Sequence, residues 1–171
     1  MIQTFKTVLW VTFSILIGNE AFGQTVNSED YVLELKKVQI EIRNENTFWI
    51  VPVVLTNNSK DTLKYYSMSC SWQEFYSVSS EKLIIQLSEC GKNAPIIVEI
   101  PPKESKTIQL DLLLLSPTID TSEIKFKIGL NLMKVSESQN RFDYDHEEQN
   151  LRKNIIWSNY IIMKTENPDL K

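Results

Sequence analysis

Three groups of residues in this chain are of types that could do chemistry. The single histidine, His146, would have to be the base of any Ser-His-Asp or Cys-His mechanism, because the nucleophile's proton must go to an imidazole. It stands in Arg141-Phe142-Asp143-Tyr144-Asp145-His146-Glu147-Glu148-Gln149, which reads as a charged, solvated loop between the last two strands. No serine lies in a Gly-x-Ser-x-Gly elbow, and there is no glycine-rich phosphate loop. The same stretch offers Asp143, Asp145 and Glu147, with Glu148 beside them, as hard oxygen ligands of the kind calcium takes. Their spacing matches the start of an EF-hand loop but lacks its glycine and its distant glutamate. The alternative is an acidic hairpin tip flanked by Arg141, Arg152 and Lys153.

Cys70 and Cys90 are the second group, and no other cysteine is present. An even count in an exported chain reads as one disulfide, the alternative being two buried thiols. Zinc is disfavoured, since neither cysteine has a second Cys or a His at ligand spacing. Closing a loop of about twenty residues would stabilise the fold by roughly 3 kcal/mol. The third group is aromatic: Phe48, Trp49, Tyr65, Tyr66, Trp72, Phe75, Tyr76, Trp157 and Tyr160. Trp49 shares parity with Val51, Val53 and Leu55, while Phe48 shares the opposite face with Ile50. A strand apolar on both sides is either fully buried or presents a platform for sugar or protein. Tyr65 and Tyr66 point to opposite faces, so at least one is expected at the surface. Trp49 and Tyr65 are therefore the candidate aromatic binding surface, and no cofactor is implied.

These residues must be positioned by strands, because alternation with a period of two recurs along the chain. Ile124, Phe126, Ile128, Leu130 and Leu132 lie on one face, against Lys125, Lys127, Gly129, Asn131 and Met133. Ile108, Leu110, Leu112 and Leu114 form a second set, and Tyr66, Met68, Cys70 and Trp72 a third. Tyr31, Leu33 and Leu35 alternate on odd positions and Val38, Ile40 and Ile42 on even ones, so an extra residue near Lys36 and Lys37, a β-bulge, is expected. The other candidates are Trp49 to Thr56, Leu83 to Ser88, Ile96 to Ile100 and Ile155 to Met163. Pro52 calls for an edge position or a bulge, since proline has no N–H to give the ladder. About eight strands separated by Asn-, Ser- and Pro-rich turns predict an all-β, two-sheet antiparallel sandwich. Residues 31–164 are its expected ordered core.

The order Val53-Val54-Leu55-Thr56-Asn57-Asn58-Ser59, then Leu63-Lys64-Tyr65-Tyr66, then Ile100-Pro101-Pro102-Lys103-Glu104-Ser105-Lys106-Thr107-Ile108 resembles exported bacterial immunoglobulin-like domains. The resemblance covers about half of the mature chain and implies an immunoglobulin-like fold. It departs from antibody-type domains in its cysteines, which are only 20 positions apart with Trp72 two residues after the first. A bridge between them ties neighbouring segments and does not pin one sheet to the other.

The first residues set the expected location. Lys6, an apolar run of about eleven residues from Val8, and Ala21-Phe22-Gly23 ahead of Gln24 have the three parts of a secretory signal peptide, with residues 1–23 removed. The run is too short to cross a bilayer, and position 24 is not the cysteine a lipoprotein needs. The mature residues 24–171 are expected as a single domain, free in a periplasm or outside the cell, with no membrane attachment. A formal net charge of −4 without clustered Lys or Arg excludes a nucleic-acid partner. The expectation is a non-catalytic interaction or structural module with a protein or glycan partner. The alternatives are a protease-inhibitor-like sandwich presenting Trp72 to Ser80, a glycan-binding sandwich and, behind both, a secreted hydrolase.

Overall fold

A computed structural model describes residues 29–115, 123–135 and 154–164. Among these residues the chain is all-β, and every strand pairing is antiparallel. The strands are β1 (Tyr31–Leu35), β2 (Gln39–Arg43), β3 (Asn46–Asn57), β4 (Leu63–Met68), β5 (Tyr76–Val78), β6 (Leu83–Ile85), β7 (Pro95–Ile100), β8 (Ser105–Leu114), β9 (Glu123–Phe126), β10 (Ile128–Asn131), β11 (Ile155–Trp157) and β12 (Ile161–Lys164). The eight expected runs become twelve strands because three of them are interrupted and β5 is added.

The larger sheet runs β1–β3–β8–β6, with β2 also on β3. Its centre is β3, twelve residues long, whose odd positions Trp49, Val51, Val53, Leu55 and Asn57 are all buried. The parity change in the first strand region is a bulge. Leu35 stands opposite Val53 and Gln39 opposite Ile50, so β1 and β2 advance four residues where β3 advances three. Pro52 faces this irregularity. Its C=O accepts from Lys36 N–H at 3.0 Å, so the side of Pro52 that lacks a donor is the side where the ladder is already broken. Proline thus sits in a central strand, and of the two expected settings the bulge is the one found. Beyond it, β2 and β3 close a hairpin through Asn44 and Glu45, with φ of 49° and 66°. Two left-handed residues are what a two-residue turn of the tight hairpin kind requires. Ile40 and Ile42, expected to face inward, remain exposed: Ile40 lies on the same face as Trp49, but on β2, which among the described residues pairs with β3 alone.

A second set of strands is built around residues 123–135. β12 pairs with β9 and β11 with β10, while β5 lies along the other side of β10. Tyr66 N–H donates to Met133 C=O at 2.8 Å and Val135 N–H to Lys64 C=O at 2.9 Å, which joins β4 to the same run; β7 then flanks β4. The alternation expected here is the alternation found, since Ile124, Phe126, Ile128, Leu130 and Leu132 are all buried. They meet the inward residues of β3 and β8 in one hydrophobic cluster, where the Trp49 and Phe126 rings approach to 5.7 Å between centroids. The expected strand through Cys70 and Trp72 ends instead at Met68, and Trp72–Phe75 forms a turn of 3-10 helix. That turn buries Gln73 and Phe75.

One polar side chain is wholly enclosed at the end of β3. The Asn57 amide nitrogen donates to the C=O groups of Asp61 at 2.8 Å, Ile100 at 2.9 Å and Pro101 at 3.1 Å, two hydrogens being shared among three acceptors. Its Oδ1 accepts from Ser59 N–H at 3.0 Å and Ser59 Oγ–H at 2.7 Å. Its backbone takes Lys103 N–H and gives its own N–H to Glu104 C=O, at 2.8 and 2.9 Å. Asn57→Ala removes all of these side-chain hydrogen bonds from a site closed to water and should lower the unfolding free energy in urea by about 2–4 kcal/mol. Asn57→Asp should be at least as costly, because a carboxylate cannot donate to those carbonyls.

Candidate binding surface

Trp49 and Tyr65 do not form a surface. Trp49 is 1% exposed and Tyr65 6%, and Tyr66, on the other face of β4, is also 6% exposed. The reason lies in the pairings. β3 is flanked on both sides, with Leu112 opposite Trp49 and Phe126 against its ring. β4 lies between β7 and residues 133–135, which cover it laterally, and both its tyrosines are drawn into the core. Burial raises the Tyr65 phenol to about 12, because the phenolate would lose its hydration. Tyr76 is raised further by burial, with a smaller contribution from Tyr65.

The exposed aromatic residues are elsewhere, on the outward face of β9 to β12. Trp157 is 39% exposed and Tyr160 53%, with Ile162 beside them at 56%. The register explains their grouping. Trp157 stands opposite Gly129 and Ile162 opposite Lys125, so with Lys127 between them these side chains share one face. The Lys125 ammonium lies 4.3 Å from the Tyr160 ring centre, and the Lys127 ammonium 4.4 Å from Trp157 and 5.3 Å from Tyr160. Among the described residues, neither lysine has a carboxylate within ion-pair distance.

Gly129 makes this arrangement possible. A Cβ added there would lie 2.6 Å from Ile155 Cγ2 and 3.0 Å from the six-membered ring of Trp157. Only glycine lets the indole rest on the strand backbone. The sequence carried a signal for this surface, a glycine within an otherwise alternating strand, though not one that names the ring resting on it. The surface presents apolar ring edges beside two ammonium groups.

Cys70 and Cys90 form a disulfide with 5.9 Å between their Cα atoms, linking the end of β4 to the segment before β7. Asn93 reinforces it: Oδ1 accepts the N–H groups of Cys70 and Ser71 at 3.2 and 3.3 Å, and its amide donates to Ser71 Oγ at 2.6 Å. The bridged segment does not present Trp72 to Ser80 as a loop. Phe75 is buried and β5 pairs with β10, and the unbroken exposed run of the segment is Gln86 to Cys90.

Asp143, Asp145 and Glu147, with His146 and the expected leader at residues 1–23, lie outside the described residues. Among the described residues no group of three His, Cys, Asp or Glu side chains could hold a metal ion, and no helix is long and apolar enough to cross a membrane. No protein-family model matches the chain, and no curated protein is significantly similar to it.

Two measurements probe this part of the molecule. Reducing the disulfide, or the double change Cys70→Ala and Cys90→Ala, should lower stability in urea by roughly 3 kcal/mol while the fold persists, since the Asn93 hydrogen bonds remain. Above pH 10 the unfolded chain loses the Tyr65 proton while the folded chain keeps it to about 12. Stability should therefore fall between those values, and Tyr65→Phe should make that fall shallower in urea titrations at stepped pH, the remainder belonging to buried Tyr76.

Proposed function

We propose that this chain is an exported, non-catalytic interaction module with an immunoglobulin-like sandwich fold, which binds its partner through the outward face of β9 to β12. The exposure of Trp157 and Tyr160 beside Lys125 and Lys127 carries this reading. Exposed rings anchor interfaces because they bring large apolar area at little cost in side-chain entropy. Two lysines without carboxylate partners among the described residues favour an acidic partner, on a chain whose net charge is −4.

The strand order supports the fold assignment. In immunoglobulin-like constant-type sandwiches one sheet runs A-B-E-D and the other C-F-G. β1, β3, β8 and β6 follow the first order, and β4, the β9/β10 run and β11/β12 follow the second. β7 is the departure, since it comes after the D-like β6 yet pairs with the C-like β4. The leader and the Cys70–Cys90 bridge support export.

A second reading, an acidic glycan on the same face, is favoured by the ring edges and ammonium groups lying side by side. An array of neutral and acidic glycans, probed with mature protein and with Trp157→Ala, separates the two. Binding to acidic glycans that weakens at least tenfold in the variant supports the glycan. With no glycan bound, photo-crosslinking from position 160 in the exported fraction should capture an acidic protein, and crosslinking from position 84 on the other sheet should not. Equal capture at both positions, or glycan binding unchanged in Trp157→Ala and Tyr160→Ala, overturns the assignment of this face.

A further inference from the structure

β7 is an edge strand with an unusual surface. Its backbone parity follows from one hydrogen bond. Ser69 N–H donates to Ala94 C=O at 2.8 Å, which makes residues 69 and 94 a hydrogen-bonded pair in the register that places Met68 opposite Pro95. Hydrogen-bonded pairs then alternate, so residues 96, 98 and 100 bond to 67, 65 and 63. The other edge of β4 agrees, since Lys64 C=O and Tyr66 N–H turn towards residues 133–135. The N–H and C=O groups of Ile97 and Glu99, and the C=O of Pro95, consequently point away from β4. Among the described residues nothing pairs with that edge.

The side chains match. Val98 and Ile100 are buried, but Ile96 is 42% and Ile97 52% exposed, so the strand is apolar on both faces at its start. Its one charge, Glu99, is already held by Lys64 at 2.7 Å. Soluble proteins commonly guard such an edge with an unpaired charge, a very short strand or an inward lysine, and β7 has none of these. The segment leading into it is held by the Cys70–Cys90 bridge and by Asn93, so little ordering remains to be done on pairing.

We propose that β7 is a self-association edge, pairing antiparallel with β7 of a second copy of this chain about a twofold axis at Ile97. The sequence selects that register. With Ile97 on the axis, the two Ile97 side chains are neighbours and each Glu99 falls opposite Pro95 of the other copy. Moving the axis to Glu99 would set two carboxylates against each other. At the Ile97 register each Ile97 N–H donates to the other copy's Ile97 C=O, and each Glu99 N–H to the other copy's Pro95 C=O. Proline lacks a donor just where the pairing ends. The contact is small and self-complementary, as a twofold interface must be.

Sedimentation velocity of the mature protein from micromolar to millimolar concentration tests this. Dimer should form with rising concentration, and the amides of Ile97 and Glu99 should become protected from hydrogen exchange in parallel. Ile97→Pro removes only an N–H that points outward, so it should leave urea stability within experimental error of wild type and raise the dimer dissociation constant at least about tenfold. Val98→Pro, which removes a bond to β4, should instead destabilise the fold. Should Ile97→Pro fail to fold, Ile97→Lys supplies the same reading by placing two cations on the axis. A protein that stays monomeric throughout, or a dimer that Ile97→Pro and Ile97→Lys leave intact, overturns the proposal. Trp157→Ala should not alter the dimer, which keeps this outcome separate from that of the β9 to β12 face.

Discussion

A carboxamide buried at the end of the longest strand holds two distant turns in register. Asn57 is 0% exposed, and its side chain satisfies carbonyls from the β3–β4 turn and from the β7–β8 turn while accepting from Ser59. Pro101 C=O also takes Glu104 N–H, and the Ser59 hydroxyl lies 2.8 Å from Asp61 C=O, so the carboxamide ties groups that already have partners into one network closed to water. With it, β3 is fixed against both β4 and β8. Since β3 belongs to the large sheet and β4 to the strands around residues 123–135, one residue couples the two halves of the core. The turns it joins are Asn57-Asn58-Ser59 and Pro101-Pro102-Lys103-Glu104. Lys103, with a φ of 63°, takes the left-handed conformation that lets its N–H reach Asn57 C=O.

Much of the fold was legible because alternation is a direct consequence of pleating. Ile124 to Leu132 gave a buried face residue by residue, and the parity switch at Lys36 and Lys37 marked a real bulge. What alternation cannot report is where a strand loses its neighbour. Ile40 and Ile42 keep the pattern and the face of Trp49, yet they are exposed on β2, which among the described residues has a neighbour on one side alone. In the same way Tyr66, Met68, Cys70 and Trp72 alternate, but β4 ends at Met68, one more backbone bond joins Ser69 to Ala94, and the Cys70–Cys90 disulfide follows.

The binding surface was harder to read for a related reason. Nine aromatic residues were candidates, and period-two parity says only that two residues are on opposite faces, not which face is covered. Trp49 and Phe48 are on a strand with neighbours on both sides, whereas among the described residues Trp157 sits on a strand with one. Exposure is therefore decided by position in the sheet order, which depends on pairings between residues far apart in sequence. The local clue was Gly129, whose missing side chain is filled by the Trp157 ring across the ladder.

The two surfaces differ in the physics by which they would recognise something. The β9 to β12 face offers side chains, rings held beside ammonium groups, and so discriminates by shape and charge. The β7 edge offers backbone, which reads any extended chain of the right length, and its discrimination rests on what stands beside those hydrogen bonds. Because Glu99 is neutralised by Lys64 and Pro95 withholds a donor, the edge is long enough to pair with itself and too short to extend indefinitely. A twofold contact uses both free edges at once and leaves none exposed at that site, so it closes where a head-to-tail contact would propagate. The sequence of β7 thus converts a feature that usually leads to aggregation into one that stops at two copies.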